Sequence, residues 1–105
     1  MKFLVVAVLK EVPPVPPEQF LKMVMGEWQT VLQFRKEGKS EVDYALAGLK
    51  GGAAIFEAES GAEINAMLGR LPLFSFLDIE IYPLMTVEEA LNQTKQSLEA
   101  LKAQK

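Results

Sequence analysis

Hydrophobic and polar positions recur with two different periods along this chain, and the switches between them mark out its elements. Phe3 to Leu9 is continuously apolar and rich in β-branched residues, the pattern of a strand covered on both faces. The proline-rich connector Val12 to Pro17 ends where a helix can begin, because proline is tolerated in a first turn. Phe20, Met23, Val24, Trp28, Val31, Leu32 and Arg35 then recur at helical spacing, predicting an amphipathic helix that Glu37-Gly38 stops. Gly26 in its middle allows close packing or a bend.

Glu41 to Leu49 alternates weakly and reads as a strand, Gly51-Gly52 as a hairpin turn, and Ala53 to Glu57 as the returning strand. Ser60-Gly61-Ala62-Glu63 is a capping box opening a second helix, whose apolar positions are Ile64, Met67, Leu68 and Leu71 and whose end is set by Pro72. Phe76, Asp78, Glu80 and Tyr82 then alternate with Leu77, Ile79 and Ile81. The second set is plain core; the first mixes aromatics with carboxylates and suits neither dry core nor open solvent. A second capping box, Thr86 to Glu89, starts a last helix over 86–103 with Val87, Leu91, Thr94, Leu98 and Leu101 in a narrow seam. That seam fits docking on its own domain or on a neighbouring subunit, and both placements stay open at this point.

The order β-α-β-β-α-β plus a helix predicts one ferredoxin-like α+β domain spanning 1–105, an antiparallel sheet with two helices on one face. The uncovered face would carry alternate residues of the apolar first strand beside the mixed face of the last. Two such faces stacked in a homodimer would bury both and enclose a cavity between sheets about 10 Å apart.

Composition narrows the chemistry. With 105 residues, 50% of them hydrophobic, and a net charge of −3, the chain should fold as a single domain. The absence of a Lys/Arg block argues against nucleic acid as a partner. No apolar run approaches the length of a bilayer span, and the apolar start leads to Lys10-Glu11 and prolines instead of a cleavage site, so a cytoplasmic protein is expected. There is no cysteine and no histidine. Thiolate chemistry and the commonest general base and transition-metal ligand are therefore missing, and no metal site is expected. Acid–base work must rest on Asp, Glu, Lys or Tyr.

Asp78 and Glu80 are the sharpest candidates. Alternate residues on one strand face lie roughly 6.5–7 Å apart, and two carboxylates at that separation in a poorly solvated cleft repel, raising at least one pKa. The competing reading is that they pair with Lys or Arg at a strand end. Glu27, beside Trp28, is a second candidate base if it faces a cavity mouth, or else a solvated helix glutamate. Tyr44, Tyr82, Phe76 and Trp28 are candidate substrate-lining residues, the tyrosines as hydrogen-bond donors.

Leu71-Pro72-Leu73-Phe74 followed by Leu77-Asp78-Ile79-Glu80, with Glu37-Gly38, Ala47-Gly48 and Ile55-Phe56 at compatible ungapped spacing, resembles the muconolactone delta-isomerase family. The resemblance runs from Gln33 to Leu84 and implies the dimeric α+β barrel, in which ferredoxin-like chains assemble as rings of dimers. It also implies a proton-moving isomerase of small unsaturated lactones that uses no metal or organic cofactor. Glu27 matches a helix glutamate of that family. Where the family has Trp-Arg-His after the Glu-Gly turn this chain has Ser40, Glu41 and Val42, so the groups that could hold a lactone carboxylate are missing. Two functions are expected from these features. One is a cofactor-free isomerase or lyase acting on a small lactone or carbonyl compound, with Glu27, Asp78 or Glu80 moving the proton. The other is a non-catalytic oligomeric module that binds a small apolar ligand or serves assembly.

Overall fold

The computed structural model describes residues 1–48 and 50–104. In chain order the elements are β1 (Lys2–Leu9), α1 (Pro17–Lys36), β2 (Ser40–Ala45), β3 (Gly51–Glu57), α2 (Gly61–Leu68), a 3-10 turn (Phe74–Phe76), β4 (Leu77–Pro83) and α3 (Val87–Ala103). The four strands form one antiparallel sheet in the order β2-β3-β1-β4, the ferredoxin-like arrangement.

Register decides which residues share a face. Val5 of β1 lies opposite Ala54 of β3 and Ile81 of β4, and Phe3 lies opposite Phe56. This set faces the helices. Phe3, Val5, Ala54 and Phe56 join Phe34 of α1 and Ile64, Met67, Leu68 and Leu71 from the second helix and its exit in one buried core. Phe34 meets Phe56 edge to face, with ring centroids 5.5 Å apart. The other face carries Leu4, Val6 and Val8, lying opposite Tyr82, Glu80 and Asp78 respectively. No described helix covers it, so Leu4 and Val6 are half-buried while Phe3 and Val5 beside them are buried, although Phe3 to Leu9 is apolar throughout.

The ends of α1 follow local rules closely. Proline opens the helix and Gly38 ends it at φ 74°. Gly38 N–H donates to Arg35 O and Lys39 N–H to Phe34 O, the double bond of a Schellman cap. Arg70 then grips Glu37 through two bonds of 3.0 and 3.1 Å and lies over the Phe34 ring, tying the α1 exit to the α2 exit. Ser60 caps α2 by accepting from Glu63 N–H, but the Glu63 carboxylate turns back to the N–H of Glu59, so the reciprocal half of the expected box is displaced by one residue.

Two expectations are corrected here. The β2–β3 hairpin turns at Gly48, whose φ is 77°, with Leu46 N–H donating to Gly51 O, and Gly51-Gly52 belong to β3 itself. The glycines are needed there for close approach: a Cβ on Gly51 would fall 2.1 Å from Ala7 O, and one on Gly52 would fall 3.3 Å from the Trp28 ring. β2 is accordingly shorter than the expected strand, whose last residue, Leu49, lies outside the described residues. Phe76 belongs to the 3-10 turn; β4 begins one residue later, because the bonds from Phe74 N–H to Leu71 O and Phe76 N–H to Leu73 O keep the backbone turning after Pro72.

Candidate active site

A cavity of about 520 Å³ lies between α1 and the β1–β3 part of the sheet, on the helix-covered side. Its walls are almost wholly apolar, with Val5, Ala54, Phe56, Val24, Val31 and Leu73 among them. The only charged groups among its described lining residues are Glu27, Asp43 and Lys50.

Glu27 is 8% exposed, which is exceptional for an unpaired acid. Its Oε1 accepts a hydrogen bond from the backbone N–H of Leu73. Burial raises its pKa above the ordinary glutamate value, and the Leu73 N–H offsets part of that rise. Two sequence features bring these partners together. A Cβ at Gly26 would lie 3.1 Å from Pro72 Cγ, so glycine there lets the Leu71-Pro72-Leu73 turn settle against α1. Pro72 has no N–H of its own, and the turn offers the next one, that of Leu73, to the carboxylate.

Asp43 stands differently. Arg35 and Ser40 both donate to it, the latter at 2.8 Å, and the Arg35 bond holds its carboxyl below the usual aspartate range. It is a satisfied structural charge. Lys50 sits with Nζ 5.9 Å from the Phe20 ring centroid. Trp28 lies at the rim, its ring against Gly52.

The remaining expected residues lie elsewhere. Asp78, Glu80 and Tyr82 project on the outer face of the sheet, where the Tyr82 hydroxyl donates to Glu80 and is itself shifted to a higher pKa by that bond. Tyr44 lies opposite Ala53 and therefore also belongs to the outer face; it touches the cavity region only where β2 borders it and is largely exposed. Phe76 is half-buried in the 3-10 turn, away from the cavity. The structure thus brings Glu27 and Trp28 together and leaves Asp78, Glu80 and Tyr82 across the sheet from them. A cavity between stacked outer faces, as expected from the strand patterns, needs a second copy.

Sequence reasoning passed over Asp43, Lys50 and the depth of Glu27. The last was detectable. Phe20, Val24, Glu27, Val31 and Phe34 follow one another at steps of four, three, four and three, so Glu27 occupies a core position of the helix. No group of three or more Asp, Glu, His or Cys able to hold a metal ion occurs among the described residues, and no described helix is long and apolar enough to cross a membrane.

The family model for muconolactone delta-isomerase matches residues 1–90. The chain belongs to that family. Over 50 residues it is 42% identical to muconolactone delta-isomerase 1 of Acinetobacter lwoffii, covering 48% of this chain and 52% of that protein. Over 52 residues it is 35% identical to the muconolactone delta-isomerase of Rhodococcus opacus, covering 50% and 56%. These alignments span about half the length of the curated relatives. The crystal structure of a muconolactone isomerase superposes with a TM-score of 0.72 at 24% identity, covering 82% of this chain and 90% of that one. A 5-chloro-2-hydroxyhydroquinone dehydrochlorinase from Burkholderia phenoliruptrix, in complex with 2,5-dihydroxybenzoquinone, gives 0.64 at 15% identity, covering 85% and 98%. The two superpositions bear out the ferredoxin-like fold.

Proposed function

We propose that this family member is a cofactor-free isomerase or lyase that moves a proton on a small, uncharged lactone or carbonyl compound, with Glu27 as the acid–base group. The observation that carries this reading is a lone carboxyl group held by one backbone N–H at the wall of an apolar cavity. Such a group has a pKa shifted toward neutrality and is poised to exchange protons. With Oε1 fixed by Leu73, Oε2 takes the proton from a carbon next to the substrate carbonyl. The C–H electron pair passes into an enolate, and the same carboxylic acid returns the proton to the far carbon of the conjugated system. Lys50, the one cation among the described lining residues, is exposed, so the enolate forms without a buried cation beside Glu27. An uncharged substrate is favoured because the lining offers no free cation at depth and the family's Arg and His positions are Glu41 and Val42 here.

A second reading concerns the outer face. Leu4, Val6 and Val8 of β1 and Val42 and Tyr44 of β2 make that face apolar around Asp78, Glu80 and Tyr82. A homodimer stacked through this face would bury it and give those residues, with Phe76 at the border, a ligand-facing or assembly role. The test for the first reading is proton exchange into a panel of neutral butenolides and cyclic enones in D2O, followed by NMR. Deuterium incorporation that disappears in Glu27→Gln and persists in Asp78→Asn/Glu80→Gln supports it. Exchange that survives loss of Glu27 shifts the chemistry to the outer face, and no exchange by wild type on the panel overturns the enzymatic reading.

A further inference from the structure

Glu27 stands midway along α1 between two points where the helix touches the sheet. Seven residues on, Phe34 meets Phe56 edge to face. Seven residues back, Phe20 meets Lys50, whose Nζ is 5.9 Å from the ring centroid. The cavity differs on the two sides of Glu27. Toward Phe34 it is shut by the core, where the lining residues Phe56 and Leu68 are 3% and 2% exposed. Toward Phe20 it continues over a floor of the smallest side chains: Ala45, Gly52 and Ala7 stand side by side across β2, β3 and β1. Val24 overhangs this stretch from α1, and Trp28, whose ring reaches Gly52, walls it.

The length of this stretch follows from element geometry. At about 1.5 Å per residue, Phe20 lies about 10 Å from Glu27 along the helix axis. At about 3.3 Å per residue, β1 covers a similar distance, about 13 Å, from Val5 to Leu9. An extended chain advances about 1.2 Å per bond, so about eight bonds span the shorter distance. A reacting ring beside Glu27 takes up about two or three of them, and the remainder is empty unless the substrate carries a tail. A volume of about 520 Å³ also belongs to the range that holds drug-sized ligands, about 300–1,000 Å³. The charges stand at the edges of this path. Asp43 is held by Arg35 and Ser40, and Lys50 is exposed at the opening. Between them nothing could replace the water lost by a buried hydroxyl or ion.

We propose that the substrates of this site are lactones or enones bearing an apolar tail of about five or six carbons, with the ring beside Glu27 and the tail running over Gly52 and Ala7, beneath Val24, to the Phe20 end. The placing of the ring rests on the proton-transfer reading of Glu27; the tail channel is a property of the cavity itself.

The test is a series of γ-alkyl butenolides with tails of one to nine carbons, offered to the full chain in D2O. The kcat/KM for exchange is expected to rise about three- to fourfold per methylene up to about six carbons and then to level off. Val24→Phe, which drops a ring into the path, should bring the ratio of long-tail to short-tail rates close to one. Glu27→Gln supplies a readout that needs neither turnover nor the bulky variant. Trp28 is the only tryptophan, and its emission should move to the blue as the series binds, with affinities rising by the same steps. Rates and affinities indifferent to tail length, or climbing through nine carbons without levelling off, overturn the proposal, as does a long-tail advantage that survives in a folded Val24→Phe. A flat series whose exchange still needs Glu27 removes the tail channel and leaves proton transfer standing. Affinities that climb and level off in a protein that exchanges no proton do the reverse.

Discussion

Glu27 on the helix-covered side of the sheet and Asp78 and Glu80 on its outer side are the same functional group in two different media. Glu27 sits among Val24, Val31, Phe56 and Leu73 with one backbone donor, and its carboxyl is pushed toward the neutral form. Asp78 and Glu80 lie in an exposed row on β4, and Glu80 has a phenol hydroxyl beside it. Burial is what changes Glu27. Two acids spaced along one strand face look like a catalytic pair on paper, but their repulsion matters only where solvent is excluded. The largest effect that tests this contrast is on proton exchange. Glu27→Gln should lower the rate by about 10²–10⁴-fold, the usual worth of a positioned acid–base group. Asp78→Asn/Glu80→Gln should change it less than about threefold if Glu27 alone carries the chemistry. NMR exchange rates on one substrate decide the matter, and equal losses in both variants would erase the distinction between the faces.

Adjacent residues of β1 sharpen the contrast structurally. Val5 is 3% exposed against the helices, whereas Val6 is half-buried on the outer face. Val5→Ala should cost about 2 kcal/mol through lost burial and the void left behind, at any protein concentration. Val6→Ala should cost well under that in dilute solution. A second copy on the outer face would make the Val6 penalty grow with concentration, which urea titrations at micromolar and at hundredfold higher concentration would reveal.

How far the sequence announces this arrangement depends on which signal is asked. The alternation in β4 correctly separates Leu77, Ile79 and Ile81 from Asp78, Glu80 and Tyr82, because a strand's period leaves no freedom of face. The helical stripe of α1 is less decisive. Apolar residues lie on both sides of it, and Trp28 and Leu32 fit the apolar stripe although the buried positions are Glu27 and Phe34. Gly51-Gly52 misled for a related reason: glycine marks a tight turn and a close backbone approach equally well, and only the neighbouring Ala7 and Trp28 show which applies. The cavity was invisible, since it depends on α1 standing off the sheet over small residues such as Ala7, Gly52 and Ala54.

The coupling between Gly26 and Pro72 allows positioning to be separated from stability. Gly26→Ala gains about 1 kcal/mol of helix propensity and loses a comparable amount by pressing on Pro72 Cγ, 3.1 Å from the new Cβ. Net stability should therefore move by less than about 1 kcal/mol. Exchange should fall by about tenfold, because a shift of the turn carries the Leu73 N–H away from Glu27. A variant as active as wild type would show that the Leu73 bond is not needed to hold the carboxyl group.

The smallest effect is a drift of stability with pH, and its sign differs between the buried acid and a paired one. The folded-state pKa of Glu27 is raised above its unfolded value of 4.5, so the protonated form is favoured by folding. Its contribution is present below pH 4.5 and is lost as pH rises through the raised value. Glu37 behaves oppositely. Its two bonds from Arg70, helped by Gln33, lower its pKa from 4.5 to about 2, so its contribution is present above pH 4.5 and is lost as pH falls toward 2. Urea midpoints from pH 3 to 8 should then show Glu27→Gln gaining on wild type as pH rises above about 4.5, and Glu37→Gln gaining on it as pH falls below that point. The Glu37 difference should also shrink in high salt, because its ion pair is open to solvent, while the Glu27 difference should persist because burial is its cause. If the Glu27→Gln curve ran parallel to wild type across the whole range, the carboxyl group would be titrating as it does in the unfolded chain. The cavity would then lack the proton-exchanging group on which the comparison between the two faces depends.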